Sequence, residues 1–195
     1  NPVMAASVDK STFESKFTSV VSKAQVAPQG KSTLDTQVMT IREPKMVFKS
    51  SKRVNANGSY VAKSSFLGNT QTRCVTSKLC YLTVDGGKNW RQVSPTDKGI
   101  TTVDDALTYF DSLTLSPSAT FDISGNTFTV SDESLKMVTV VTGSTVVTTV
   151  DLSNPSSPSE TAQMVITHKP VKPVKVKKPK GVASGVPTVQ SPTRL

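Results

Sequence analysis

Few side chains in this sequence have the type and spacing that enzyme chemistry requires. His168 is the only histidine, and it lies at the end of a predicted strand, where we expect it at the surface. Nucleophilic catalysis needs a base held inside a pocket beside the nucleophile. Asp104 and Asp105 are adjacent at a predicted helix start, where acidic residues favour the helix dipole rather than form a catalytic pair. We therefore predict a protein that is not an enzyme and that needs no cofactor.

The two cysteines, Cys74 and Cys80, flank a predicted hairpin turn centred on Ser77. This spacing places their Cβ atoms roughly opposite each other, as a disulfide requires. Two unpaired thiols are the alternative, but an even count at short spacing in a Ser/Thr-rich chain favours an oxidised pair. Two cysteines and one distant histidine cannot build a tetrahedral metal site. We predict a disulfide, no metal, and export from the cytoplasm.

Two amphipathic helices are predicted to flank the first group of strands. The first runs from Ser11 to Ala24, with Ser11 and Glu14 as a capping box and one apolar stripe. The second begins with the capping pair Thr102 and Asp105 and ends near Leu115, before a proline. Both stripes need an apolar surface to cover.

The remaining body is rich in Ser, Thr and Val, which favours strands. About six strands precede the second helix and about five follow it, joined by short turns. Asn57-Gly58 is typical of a type I′ turn. The last strand is predicted over Thr161 to His168. Consecutive hairpins pair antiparallel, so we predict an α+β fold in which one curved antiparallel sheet, a half-open barrel, packs on two helices.

The net charge of +9 resides mainly in the C-terminal segment, since no acidic residue follows Glu160. Lys-Pro-Val repeats there favour extended polyproline II, and we predict a disordered basic tail over 169–195. The tail suits an anionic membrane surface or cell-wall polymer, or acts only as a solvated spacer. Nucleic acid is a weaker candidate because no aromatic side chains lie among the lysines. The candidate polyanion-binding residues are Lys169, Lys172, Lys175, Lys177, Lys178 and Lys180.

The segment Thr83 to Trp90 matches the Asp-box pattern [ST]-x-D-x-G-x-x-W of sialidases and other propellers. A propeller needs several blades, and this sequence has one copy and no repeat period. We therefore expect an ordinary hairpin turn in which Trp90 packs on a neighbour.

The order of elements resembles the LolA-like lipoprotein-carrier fold, in particular the actinobacterial envelope lipoproteins of the LprG and LppX type. The resemblance covers roughly Asp9 to His168. It rests on the first helix, the paired strands, and the hairpin Tyr81 to Trp90 ahead of the second helix. It implies lipid binding or transport, with acyl chains held between sheet and helices. The family's lipidated cysteine is not seen from Asn1 onward, so an anchor would belong to a segment not present here.

These observations predict a flexible segment over 1–8, a binding domain over 9–168 and the tail. The predicted function is to bind or carry a lipid or other apolar ligand in the cell envelope, or after secretion. The alternative is a structural or adhesive surface module with a packed core, tethered by its tail to anionic wall polymers or a partner. The sequence does not indicate the oligomeric state. The predicted cavity-lining residues are Met46, Phe48, Tyr60, Phe66, Phe110, Phe121, Val138, Val140 and Val150.

Overall fold

The computed structural model describes residues 6–66, 68–94 and 103–182. They form two helices and one 12-stranded antiparallel sheet that does not close, which confirms the predicted fold class. The helices are α1, Lys10–Gln25, and α2, Ala106–Asp111. The strands β1 to β12 are, in order, Ala6–Val8, Ser32–Ile41, Met46–Val54, Tyr60–Ser64, Thr70–Cys74, Cys80–Thr83, Arg91–Val93, Thr120–Ser124, Thr127–Asp132, Leu135–Thr142, Thr145–Asn154 and Ser157–Val171.

The sheet order is β1-β8-β9-β10-β11-β12-β2-β3-β4-β5-β6-β7, so β1 and β7 are its edges. Each pair of adjacent strands in the sheet is also consecutive in sequence, except that β1 pairs with β8 and β12 pairs with β2. That pairing runs from Ala162 opposite Ile41 to Val171 opposite Ser32 and joins the two halves of the sheet. Part of the segment predicted to be flexible, Ala6–Val8, pairs with β8 instead. Residues 1–5 lie outside the described ranges.

Both helices begin at an aspartate that caps the backbone. Asp9 accepts a hydrogen bond from the Thr12 amide, and Asp105 accepts one from the Thr108 amide, each at 2.8 Å. The helix α1 begins at Lys10, so Asp9 takes the capping position that was predicted for Ser11. α2 ends at Asp111, earlier than predicted, although the segment after it still packs on the core. Thr102 lies outside the described residues.

The helices cover one face of the sheet, here called the inner face, over β8–β12. Phe13, Phe17 and Val21 of α1 have no accessible surface, and the Phe13 and Phe121 rings lie 5.3 Å apart. A void large enough for water would leave accessible surface on its lining. The interface of α1 with the sheet is therefore a dry, close-packed core. The cavity predicted between sheet and helices is not present at this contact.

A second cluster lies further along the same face, over β4–β7. It contains the buried residues Tyr60, Ala62, Leu82 and Val93 together with the cysteine pair. Cys74 and Cys80 are cross-strand partners with Cα atoms 4.0 Å apart, and they form the predicted disulfide. The disulfide indicates an oxidising, extracytoplasmic environment.

The turn between β3 and β4 differs from the predicted type I′ geometry. Gly58 has a φ of 81°, but Asn57 has no positive φ, which a type I′ turn would require. Instead, the Asn57 side chain accepts hydrogen bonds from the amide and hydroxyl of Ser59, at 3.0 and 2.7 Å. Asparagine thus supports this turn through its side chain rather than through a left-handed backbone.

The predicted domain boundary after His168 falls inside β12, which continues to Val171. The chain then runs on across the sheet to Val182, and we call residues 172–182 the strap. It lies on the outer face, opposite the helices, since its valines Val174 and Val176 line one space together with outer-face residues of β2–β4. The rest of the predicted tail, 183–195, lies outside the described residues.

Candidate functional sites

The residues predicted to line one cavity occupy separate places. Phe110, Phe121 and Val150 belong to the dry inner core, at 7, 7 and 0% exposure. Tyr60 belongs to the second cluster, where burial raises the pKa of its hydroxyl. Met46 is exposed at the start of β3.

Val138 and Val140 point away from the helices, which corrects their assignment to the cavity. Successive residues of a strand face opposite sides, and Met137, Thr139 and Val141 take the buried inner positions of β10. Val140 is 41% exposed on the outer face. In the sequence, Val138 and Val140 looked like the buried positions because the inner face of this strand carries a threonine, which is itself buried. The Thr139 hydroxyl hydrogen-bonds that of Thr148 at 2.8 Å.

Phe48 and Phe66 line an open space on the inner face, here called the inner groove. Its volume is about 240 Å³, and Met39 contributes to its wall. The two rings meet nearly edge to face, with centroids 5.1 Å apart. Phe66 is 54% exposed, whereas the five phenylalanines of the helix–sheet core are buried. The remaining lining residues are polar: Gln37, Ser50, Ser64 and Asp104.

Asp104 reaches the inner groove from the segment just before α2. Among the residues that the structure describes, Asp104 is the one acidic residue that lines this space. Burial raises the pKa of nearby Tyr109, and the negative charge of Asp104 raises it further. The sequence suggested only a helix-start role for Asp104, because nothing local shows that α2 begins beside β3.

The opposite face of β2–β5 carries a second open space of about 570 Å³, here called the outer groove. Lys49 and Lys63 lie in it as diagonal cross-strand neighbours beside Ser51. Further hydroxyl and amide groups complete much of the lining: Thr36, Ser65, Asn69, Thr70 and Gln71. The alternation of Lys49, Ser51 and Arg53 along β3 is the sequence signal for this cationic surface, and our prediction missed it.

Asn55 fixes the beginning of the strap to the sheet. Its side-chain NH2 donates to the Val174 carbonyl at 2.7 Å, and its Oδ1 accepts from the Val174 amide at 3.2 Å. The same side chain accepts from the Ser32 hydroxyl at 2.7 Å and donates to that of Ser59 at 2.9 Å. These bonds use both donors and both acceptor positions of the amide. Asn55 therefore joins the start of β2, the β3–β4 turn and the strap.

Further along, the strap covers β6 and reaches the β7 edge. The Lys178 ammonium lies 5.9 Å from the centre of the Tyr81 ring, and Tyr81 is only 1% exposed. Pro179 is buried, and Val182 bridges to Trp90 just before β7. Crossing from β3 to β6 within a few residues requires an extended chain, as the Lys-Pro-Val repeats predict. The lysines at 172, 175, 177, 178 and 180 remain exposed.

Charge is distributed unevenly between the two halves of the molecule. Residues 31–94 and 169–182, which contain β2–β7 and the strap, have seventeen Lys and Arg but three Asp and Glu. Residues 6–30 and 103–168 have four Lys but ten Asp and Glu. Within the described chain, no Lys or Arg of the basic half forms an ion pair. The basic half thus presents uncompensated positive charge.

The Asp-box segment forms a tightly bonded turn. Asp85 accepts hydrogen bonds from the Thr83 hydroxyl at 2.7 Å, from the amides of Lys88 and Asn89 at 3.0 Å, and from the Asn89 side chain at 2.7 Å. These donors hold the pKa of the Asp85 carboxyl well below its usual range. Trp90 donates to the Gly87 carbonyl at 3.1 Å and stacks against Arg73. The carboxylate supports the turn, as the prediction of an ordinary hairpin implied.

His168 is buried, which corrects the prediction of a surface residue at a strand end. β12 extends beyond it, and its Nδ1 lies 2.7 Å from a carboxylate oxygen of Asp35, its cross-strand partner on β2. This side-chain contact links β12 to β2, the two strands that join the halves of the sheet.

Comparison with known proteins adds no assignment to these sites. No protein-family model matches this chain, and no curated protein has a similar sequence. In residues 6–66, 68–94 and 103–182, no cluster of three or more His, Cys, Asp or Glu side chains is arranged to hold a metal ion. Over the same ranges, neither helix is long and apolar enough to cross a membrane.

Proposed function

We propose that this protein is a non-catalytic binding module of the cell envelope that attaches to an anionic polymer through its outer face. The binding surface consists of the outer groove and the exposed lysines of the strap. The observation that carries this proposal is the uncompensated charge of the basic half: seventeen cations against three acids, with none of the cations in an ion pair among the described residues.

None of the three acidic residues of this half lines the outer groove. Asp35 is paired with His168, and Asp85 is bonded within its own turn. Glu43 lies in the β2–β3 turn. Like charges that remain close together repel each other, and an anionic partner relieves that repulsion. The hydroxyl and amide groups beside Lys49 and Lys63 suit a polymer that carries phosphate and hydroxyl groups.

Lipid carriage, which the resemblance implies, receives less support. An acyl chain needs a large apolar cavity, on the order of 300–1,000 Å³. The α1–sheet interface is close-packed, and the inner groove, at about 240 Å³, is smaller than this and has a half-polar lining.

The proposal can be tested with poly(glycerol phosphate) by isothermal titration calorimetry at several salt concentrations. Binding should weaken steeply as salt rises, because the polymer releases counterions on binding. The double variant Lys49→Gln/Lys63→Gln should bind less tightly and with a shallower salt dependence. Lys16→Gln/Lys23→Gln is the matched control, since it removes the same charge from α1 in the acidic half.

Equal loss of affinity in both double variants would show that net charge alone governs binding and would contradict a site on the outer face. Affinity that does not change with salt would contradict the electrostatic mechanism itself. A clear preference for duplex DNA of equal charge would replace the envelope polymer with a nucleic acid as the partner.

A further inference from the structure

The inner groove contains the two phenylalanines that the dry core does not use. Phe13, Phe17, Phe110, Phe121 and Phe128 are at most 7% exposed and touch one another around α1. Phe48 and Phe66 lie apart from them, and Phe66 exposes half its surface. The two rings together form an apolar surface, and a ligand that covered it would remove that surface from water.

The polar part of the groove is acidic rather than neutral. Asp104 faces the same space as the two rings and has no hydrogen bond or ion pair with another described residue. Lys52, which follows Phe48 and Ser50 on the inner face of β3, has its ammonium 4.9 Å from the centre of the Tyr60 ring and does not line the groove. Ser50 and Ser64 hydrogen-bond each other at 3.0 Å and carry no charge, so Asp104 is the group in this lining that supplies a countercharge.

We propose that the inner groove binds a small organic cation: an ammonium group with methyl or other short apolar substituents. The faces of Phe48 and Phe66 attract such a cation through their π-electrons, and the Asp104 carboxylate supplies the countercharge. A volume of about 240 Å³ accommodates one such group but not an extended acyl chain. This site is independent of the outer face and does not require the anionic polymer.

Two probes of nearly equal shape separate charge from apolar contact: choline, and its uncharged isostere 3,3-dimethylbutanol. Two-dimensional NMR titration of the whole chain would measure both affinities and report which amides shift. We expect choline to bind at least about tenfold more tightly than the isostere, with shifts centred on Phe66 and Asp104. Phe66→Ala and Asp104→Asn should each weaken choline binding about tenfold.

Matched controls are Val84→Ala, which truncates an exposed apolar residue elsewhere, and Asp111→Asn, which removes an exposed acid at the end of α2. Neither should change choline affinity, and melting temperatures would confirm that every variant is folded. Equal binding of the isostere would overturn the proposal, because the site would then recognise only apolar shape. Stronger binding of decanoate would also overturn it and would favour an acyl ligand.

Discussion

Substituting Asn55 by alanine should destabilise the protein and release the strap. Four hydrogen bonds of the Asn55 side chain would be lost, and each contributes about 1 kcal/mol. Ser59 would keep its bond to Asn57, but the Ser32 hydroxyl, at 1% exposure, would lose its acceptor. The bonds to Val174 are partly exposed to water, so their share is smaller. We expect a loss of about 3 kcal/mol in the free energy of unfolding, or about 6–12 °C in Tm.

A double-mutant cycle would test the link to the strap. In a chain that ends at Val171, two of the four bonds are already absent, so Asn55→Ala should cost about 1 kcal/mol less than in the full chain. Urea unfolding followed by circular dichroism would measure all four variants. Asn154→Ala is the control, since that side chain also supports a turn but lies exposed on the other half of the sheet. An identical cost in the long and short chains would refute the idea that Asn55 holds the strap.

Three further changes have expected outcomes. Replacing Cys74 and Cys80 by serine should lower the free energy of unfolding by about 2 kcal/mol, as expected for so short a loop, and unchanged urea midpoints would contradict this. Thr139→Val should lower the free energy of unfolding by about 1–3 kcal/mol, because the buried Thr148 hydroxyl loses its hydrogen-bond partner. The double variant Thr139→Val/Thr148→Val should recover most of this loss. Additive losses would show that the two hydroxyls do not satisfy each other. The folded-state pKa of Asp85 is lowered, so its stabilisation is present above about pH 4 and is lost as the pH falls. Asp85→Asn should therefore make the free energy of unfolding depend less on pH below 4. The same pH dependence in the variant and the natural protein would show that Asp85 is not its source.

The sequence was most informative where the signals are local. The two helices, the antiparallel hairpins and the Cys74–Cys80 bond follow from short-range periodicity, capping residues and turn residues, all within a few positions of each other. The inner and outer faces of β10 were harder to assign. Val138 and Val140 are as apolar as their buried neighbours, and only the threonine pair Thr139–Thr148 reveals that the inner face contains a polar exception.

The strap and the two grooves could not be predicted, because they depend on contacts between distant parts of the chain. Asn55 and Val174 are separated by 119 positions. A lysine- and proline-rich stretch also has too little apolar surface to indicate that it packs on anything. Asp104 joins Phe48 and Phe66 only because the sheet order returns β12 to β2, and no local pattern encodes that return.

The strap also determines where mechanical load enters the fold. It carries the chain from β12, near the middle of the sheet, across to Trp90 beside the β7 edge. Ala6–Val8 lie at the opposite edge, so tension between residues 6 and 182 acts on two margins of the sheet rather than on its centre. The contacts of the strap and the three residue pairs between β1 and β8 would therefore be the first to take the tension. The long β12–β2 pairing and the disulfide would bear load only afterwards. A module built in this way yields at its edges and keeps its core intact under pull.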